Sequence, residues 1–165
     1  MKYNELIDGE EMQSYFGDKY QKWAMELKSL TAKREISEND ISDKSAEKKL
    51  LQTIKFSWLG FFLTLYWAAY HNSKQWLTIA IVFSSIGVID TVFLNDQLAP
   101  ILPLVLAVIY GMYGKSYLLA GKASEYSQTG AFSKPSWIRV IAALAIIIVP
   151  QAIAVYVVYE IIPYA

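Results

Sequence analysis

The chain reads as an all-α integral membrane helical bundle. It is expected to have three transmembrane helices plus an interfacial or re-entrant aromatic-rich helix, preceded by an amphipathic helix in a polar segment. Two observations predict this class. Charge is crowded into one end: residues 1–50 hold nine Lys/Arg and eleven Asp/Glu, twenty of the chain's thirty charges. Beyond them lie four apolar stretches, 56–70, 76–94, 98–114 and 138–159, whose only charged residues are Asp90 and Arg139. A soluble domain carries about 25% charged residues throughout, so lipid is the expected solvent of residues 51–165.

The polar segment comes first. Residues 1–10 read as a polar lead-in. From residue 12 to 30, Met12, Phe16, Tyr20, Trp23, Leu27 and Leu30 recur four and three apart, the period of one helix face. Gly17 weakens that helix by about 1 kcal/mol relative to Ala. Its polar face mixes Glu11, Asp18 and Glu26 with Lys19, Lys22 and Lys28. Attraction to anionic lipid is therefore weak, and docking of Phe16, Trp23 and Leu27 on protein is the more economical expectation. Residues 31–43 read as a linker rich in cap and turn formers, and 45–54 as a short helix leading into the membrane.

A bilayer core of roughly 30 Å needs about 20 apolar residues in a helix. Residues 76–94 and 137–159 meet that length, and 98–119 does so if Lys115 snorkels. The stretch 56–70 falls short and is crowded with aromatics. Lys and Arg positions decide which stretches cross. If all four cross with the N-terminus inside, Lys115, Lys122, Lys134 and Arg139 lie outside, against the positive-inside rule. If 56–70 lies in the interface or dips in and returns, every one of these cations is cytoplasmic and only the 95–97 turn and the C-terminal tail lie outside. Three spans are therefore expected, with four spans as the alternative. Trp76 and Trp137 then fall at the cytoplasmic headgroup level, where Trp is enriched.

The composition excludes several function classes. Without Cys there are no disulfides or thiolate metal sites, and one His, His71, makes a His-based zinc site improbable. No cofactor is expected. Zero net charge with no basic run argues against nucleic acid. The first fifty residues contain no apolar core of signal-peptide length, so the first hydrophobic segment is expected to act as its own targeting signal. No nucleophile triad, phosphate loop or catalytic carboxylate pair is visible, and no enzymatic activity is expected.

Few residues stand out as candidate sites. Asp90 is the one acid inside an apolar stretch, and such charges often mark ion paths. It lies only about 6–8 Å from the turn at Asn95, at 1.5 Å per helical residue, so an interfacial or packing role is favoured and a pathway role is the alternative. No basic residue shares its side. Lys115 with Tyr110, Tyr113 and Tyr117 reads as an aromatic belt with a snorkelling lysine. Gly87 and Thr91, and Ala107 and Gly111, are small residues four apart, spacings that let helices pack closely in lipid. Pro150 is expected to kink the last helix. His71 reads as an interfacial residue beside Lys74 rather than a base.

Two strings carry a family resemblance. YFGDKYQKWAMEL, Tyr15 to Leu27, is followed by FSWLGFFLTLYWAAYHNSKQW, Phe56 to Trp76, and later by IYGMYGKSYLLAGKASEY, Ile109 to Tyr126. Together they resemble the bacterial membrane family described as domain of unknown function 2628. Leu63-Thr64-Leu65 stands where that family usually has Gly-Pro, and His71-Asn72-Ser73-Lys74 replaces its Arg-Lys pair. The resemblance implies a small protein of the bacterial inner membrane with no assigned chemistry. The functional expectation is an accessory or structural subunit, or an adaptor, whose partners are the bilayer and other membrane subunits or further copies of itself. The alternative is an oligomeric small transporter or channel with Asp90 in its pathway.

Overall fold

The computed structural model describes residues 1–94 and 96–161. Eight α-helices are formed there: α1 (Tyr3–Asp8), α2 (Glu10–Phe16), α3 (Tyr20–Lys33), α4 (Lys44–Leu51), α5 (Trp58–Tyr70), α6 (Trp76–Phe93), α7 (Leu102–Thr129) and α8 (Trp137–Tyr156). Among the described residues, α6, α7 and residues 137–160 are the helices long and apolar enough to cross a bilayer. The fold class is the expected one.

The N-terminal part is more structured than its polarity suggests. The lead-in contains α1, which buries Tyr3, Leu6 and Ile7 at three-to-four spacing and starts where the Lys2 N–H donates to the Glu5 carboxylate at 2.8 Å. The helix expected over 12–30 is two helices, because Gly17 adopts φ 51°, ψ −132° and a 3-10 turn spans Gly17–Lys19. That left-handed conformation favours glycine, and it ends α2 before α3 begins. The expected linker is anchored: Ile36 and Ile41 are buried, and the Ile41 N–H donates to the Met1 carbonyl at 3.0 Å. Asp43 caps α4 by accepting the Ser45 N–H at 2.8 Å. The polar segment 1–50 and the membrane part 51–165 meet in one core. Leu119, Ala120 and Ala123 of α7 share one core with Leu6, Leu27, Leu30 and Leu50.

α7 makes that shared core because it is long. Its 28 residues span about 42 Å at 1.5 Å per residue, beyond the roughly 30 Å of hydrocarbon. The surplus at its C-terminal end supports the N-terminal bundle. α6 and α8 start at this same Lys-rich end, where the Ser136 N–H donates to the Tyr70 carbonyl, and run together toward Asp90. Pro150 sits inside α8 without ending it.

α5 settles the question of spans. On its entry side, Ser116 Oγ donates to the Thr53 carbonyl at 2.7 Å; on its exit side, the Lys74 N–H donates to the Tyr117 carbonyl at 2.8 Å. The segment therefore enters and leaves at adjacent residues of α7. Midway, Thr64 breaks the helix with φ 46°, ψ −129°. Its ends meet α7 at Ser116 and Tyr117 while its tip borders Leu104 and Ala107, so the hairpin reaches roughly 15–20 Å deep at 1.5 Å per helical residue of α7, short of a crossing. It is re-entrant, and the four-span alternative is set aside. Gly60 makes the close approach to α7, since any Cβ there would overlap the Tyr110 carbonyl.

Candidate functional site

Two places gather polar side chains within apolar surroundings, one at each end of the bundle. At the acidic end, a cavity of ≈ 680 Å³ lies between the hairpin tip, the end of α6, the start of α7 and the middle of α8. Phe61, Phe83, Leu106 and Ile147 give it apolar walls; Asp90, Thr91, Asp96 and Gln151 give it a polar end.

The sequence-predicted residues divide around this cavity. Asp90 is 1% exposed, and both its carboxylate oxygens accept the Leu98 N–H, at 2.9 and 3.0 Å. Its main-chain carbonyl accepts the N–H groups of Leu94 and Asp96. One residue thus ties the whole α6–α7 turn, a packing role that also points the side chain at the cavity. Thr91 donates its hydroxyl to the Asp96 carboxylate at 2.7 Å. Gly87 lies against the Gln151 side chain of α8, whose amide would have to shift for a Cβ, and Ala107 lines the cavity. Gly111 is covered by the rings of Phe56 and Phe61, and its carbonyl accepts the Ser57 N–H at 2.7 Å. Gly87 is thus covered by α8 and Gly111 by the hairpin, while Thr91 and Ala107 border the cavity.

Phe16, Trp23 and Leu27 meet their own chain. Trp23 stacks between Phe16, at 4.8 Å between ring centroids, and Trp67 of the hairpin, at 6.4 Å. Leu27 is 1% exposed in the shared core. These side chains join the N-terminal bundle to the membrane part.

The Lys-rich end holds what sequence reading missed. Lys115 does not snorkel; its ammonium pairs with Glu26 at 2.7 Å and donates to the Phe56 carbonyl at 3.3 Å. Lys74 pairs with Glu47 at 3.1 Å. Lys122, fully buried, pairs with Glu125 at 3.1 Å, donates to the Ser133 carbonyl at 3.2 Å and lies 4.2 Å above the centre of the Tyr15 ring. The Arg139 guanidinium donates to the Ala69 and Tyr70 carbonyls at 3.0 and 3.1 Å, holding the exit of the hairpin. His71 accepts or donates at Nδ1 with the Tyr15 hydroxyl, 2.8 Å away. Burial, with Lys122 and Arg139 nearby, holds the imidazole neutral and its pKa down at about 4. The Tyr15 hydroxyl then donates to an unprotonated Nδ1. The seven-residue spacing of Lys115 and Lys122 on α7 was a visible signal; their carboxylate partners were not.

Among the described residues, no three His, Asp or Glu side chains converge as a metal site would. No family model, curated protein or solved structure matches the chain.

Proposed function

We propose that this chain is an accessory or structural subunit of a larger membrane complex in a bacterial inner membrane, with its N-terminal bundle in the cytoplasm. The observation that carries the reading is the break at Thr64. Irregular backbone inside hydrocarbon is tolerated only where protein or a polar cavity covers it. On one side Thr64 and Tyr66 border the cavity; on the other, Trp58 and Leu63 are exposed, 67% and 48%. A neighbouring membrane protein seated on that outer side would cover the break.

The orientation rests on charge. Every Lys and Arg lies in residues 2–55, at 74, or in 115–139, and none in 75–114 or 140–165. The positive-inside rule puts that end in the cytoplasm. The exposed outer face of the N-terminal bundle is then what the subunit offers to soluble partners.

A photo-crosslinking side chain at Leu63, activated in the protein's own membrane, tests the proposal. An adduct with a different polypeptide at one defined mass is expected. Adducts with lipid alone would sink the subunit reading. An adduct with a second copy would favour the oligomeric transporter, for which Asp90 at the cavity is the supporting observation.

A further inference from the structure

The cavity at the acidic end has a chemistry that the subunit reading leaves unused. We infer that it binds a lipophilic organic cation: an apolar, ring-bearing body with one positive centre seated at Asp90. This goes beyond the subunit reading and does not depend on it.

Size is the first reason. At ≈ 680 Å³ the space falls within the roughly 300–1,000 Å³ of small-molecule pockets. It is too small for a transmembrane helix, which is about 10–12 Å across with its side chains. The walls are the second reason. Phe61, Phe62, Tyr66 and Phe83 border the space, and aromatic faces attract cations most strongly where water is scarce. Phe62 and Leu104, 69% and 59% exposed at the rim, leave the entrance facing lipid. A hydrophobic cation concentrated in the bilayer reaches it laterally.

Charge complementarity is the third reason and selects the ligand. A carboxylate offers about four acceptor sites, and among the described residues Asp90 has one N–H donor, from Leu98. Asp96 receives the Thr91 hydroxyl. An ionised group in low dielectric needs a paired charge or suffers a large desolvation cost. No Lys or Arg exists in residues 75–114 or 140–165 to supply one. A second copy in the same orientation presents the same cation-free stretches at this depth, so it cannot supply the charge either. A neutral amphiphile leaves the carboxylate unanswered, and an anionic one is repelled. The ligand that completes the site is cationic.

The test uses the purified full chain in a neutral maltoside detergent. Rhodamine 6G is the cationic probe, followed by fluorescence polarisation, with an uncharged dye of similar size as control. Saturable binding of the cation and none of the neutral dye is expected. Asp90→Asn keeps the acceptor for Leu98 and removes the charge, so affinity should fall by about tenfold or more. Ala107→Trp fills the cavity and should abolish binding, while Ser127→Trp, on the exposed end of α7, should change nothing. Should Asp90→Asn not fold, Asp96→Asn removes charge from an exposed loop position and should still weaken binding severalfold. Equal binding of both dyes, no binding to the wild type, or unchanged affinity in the folded Asp variants overturns the inference. A dimer that Ala107→Trp dissociates, with no dye bound, would assign the cavity to a second copy instead.

Discussion

The two ends of the membrane bundle handle buried charge in opposite ways. At the Lys-rich end, Lys74, Lys115 and Lys122 each find a carboxylate within 3.1 Å, and Arg139 finds main-chain carbonyls. At the acidic end, among the described residues, the Asp90 carboxylate finds only a backbone amide and Thr91 a neighbouring carboxylate. The first end is closed: its three lysines are paired within the chain and weld the N-terminal bundle to α7 and the hairpin. The second is open: the Asp90 carboxyl is held in place with no Lys or Arg in 75–114 or 140–165 to meet it, beside a space that something else can enter. Stability and recognition are therefore separated along the membrane normal.

That contrast can be broken outright by topology. The chain has no Cys, so single cysteines at Ser127 and Gln97 report cleanly. An impermeant maleimide should label Ser127→Cys only in inside-out vesicles and Gln97→Cys only in intact cells. Labelling of both from one face would end the comparison. The largest energetic effect is expected at Lys122. Removing one partner of a buried pair costs about 3–5 kcal/mol, so Glu125→Ala should lower stability in detergent by that order, measured by denaturant unfolding. The double variant Lys122→Met, Glu125→Leu should recover most of it. A loss under about 1 kcal/mol, as at an exposed pair, would show that this end is not closed.

A somewhat smaller effect is expected from pH. His71 has a folded pKa of about 4, below its ordinary 6.5. A depressed histidine contributes stability that is fully present above pH 6.5. Between 6.5 and 4 the unfolded chain takes up a proton that the folded chain refuses, so stability falls by up to about 3 kcal/mol over that window. Unfolding of the wild type as a function of pH should show this slope, and His71→Gln should flatten it. An unchanged slope in the variant would place the titration elsewhere.

Much of the architecture was legible in the chain itself. The spans at 76–93 and 137–156 follow from runs of apolar residues, whose preference for hydrocarbon is a local property. That α5 does not cross followed from counting cations on each side of the membrane; that it dips in rather than lying in the interface did not. The helical face through Phe16, Trp23 and Leu27 was legible as a face, but its target on Trp67 and α7 was not. Residues 1–10 and 31–43 looked merely polar, because Tyr3, Leu6, Ile7, Ile36 and Ile41 are too sparse to show a period. They become core only when α1, α3 and the 34–43 turns close on one another. The break at Thr64 was hidden for another reason. A β-branched residue rarely adopts positive φ, and neither Gly nor Pro stands beside Thr64 to mark a bend. The conformation is imposed from outside, by Thr53 and Lys74 being held at neighbouring residues of α7.

The sequence by itself determined the solvent of each part of the molecule, the number of crossings and the end at which cations collect. Those depend on transfer free energies that act residue by residue. Only the tertiary structure decided which carboxylate meets which lysine, where the hairpin turns, and that Asp90 faces a cavity with no cation beside it. Such facts depend on distances between residues far apart in the chain, and packing alone sets them.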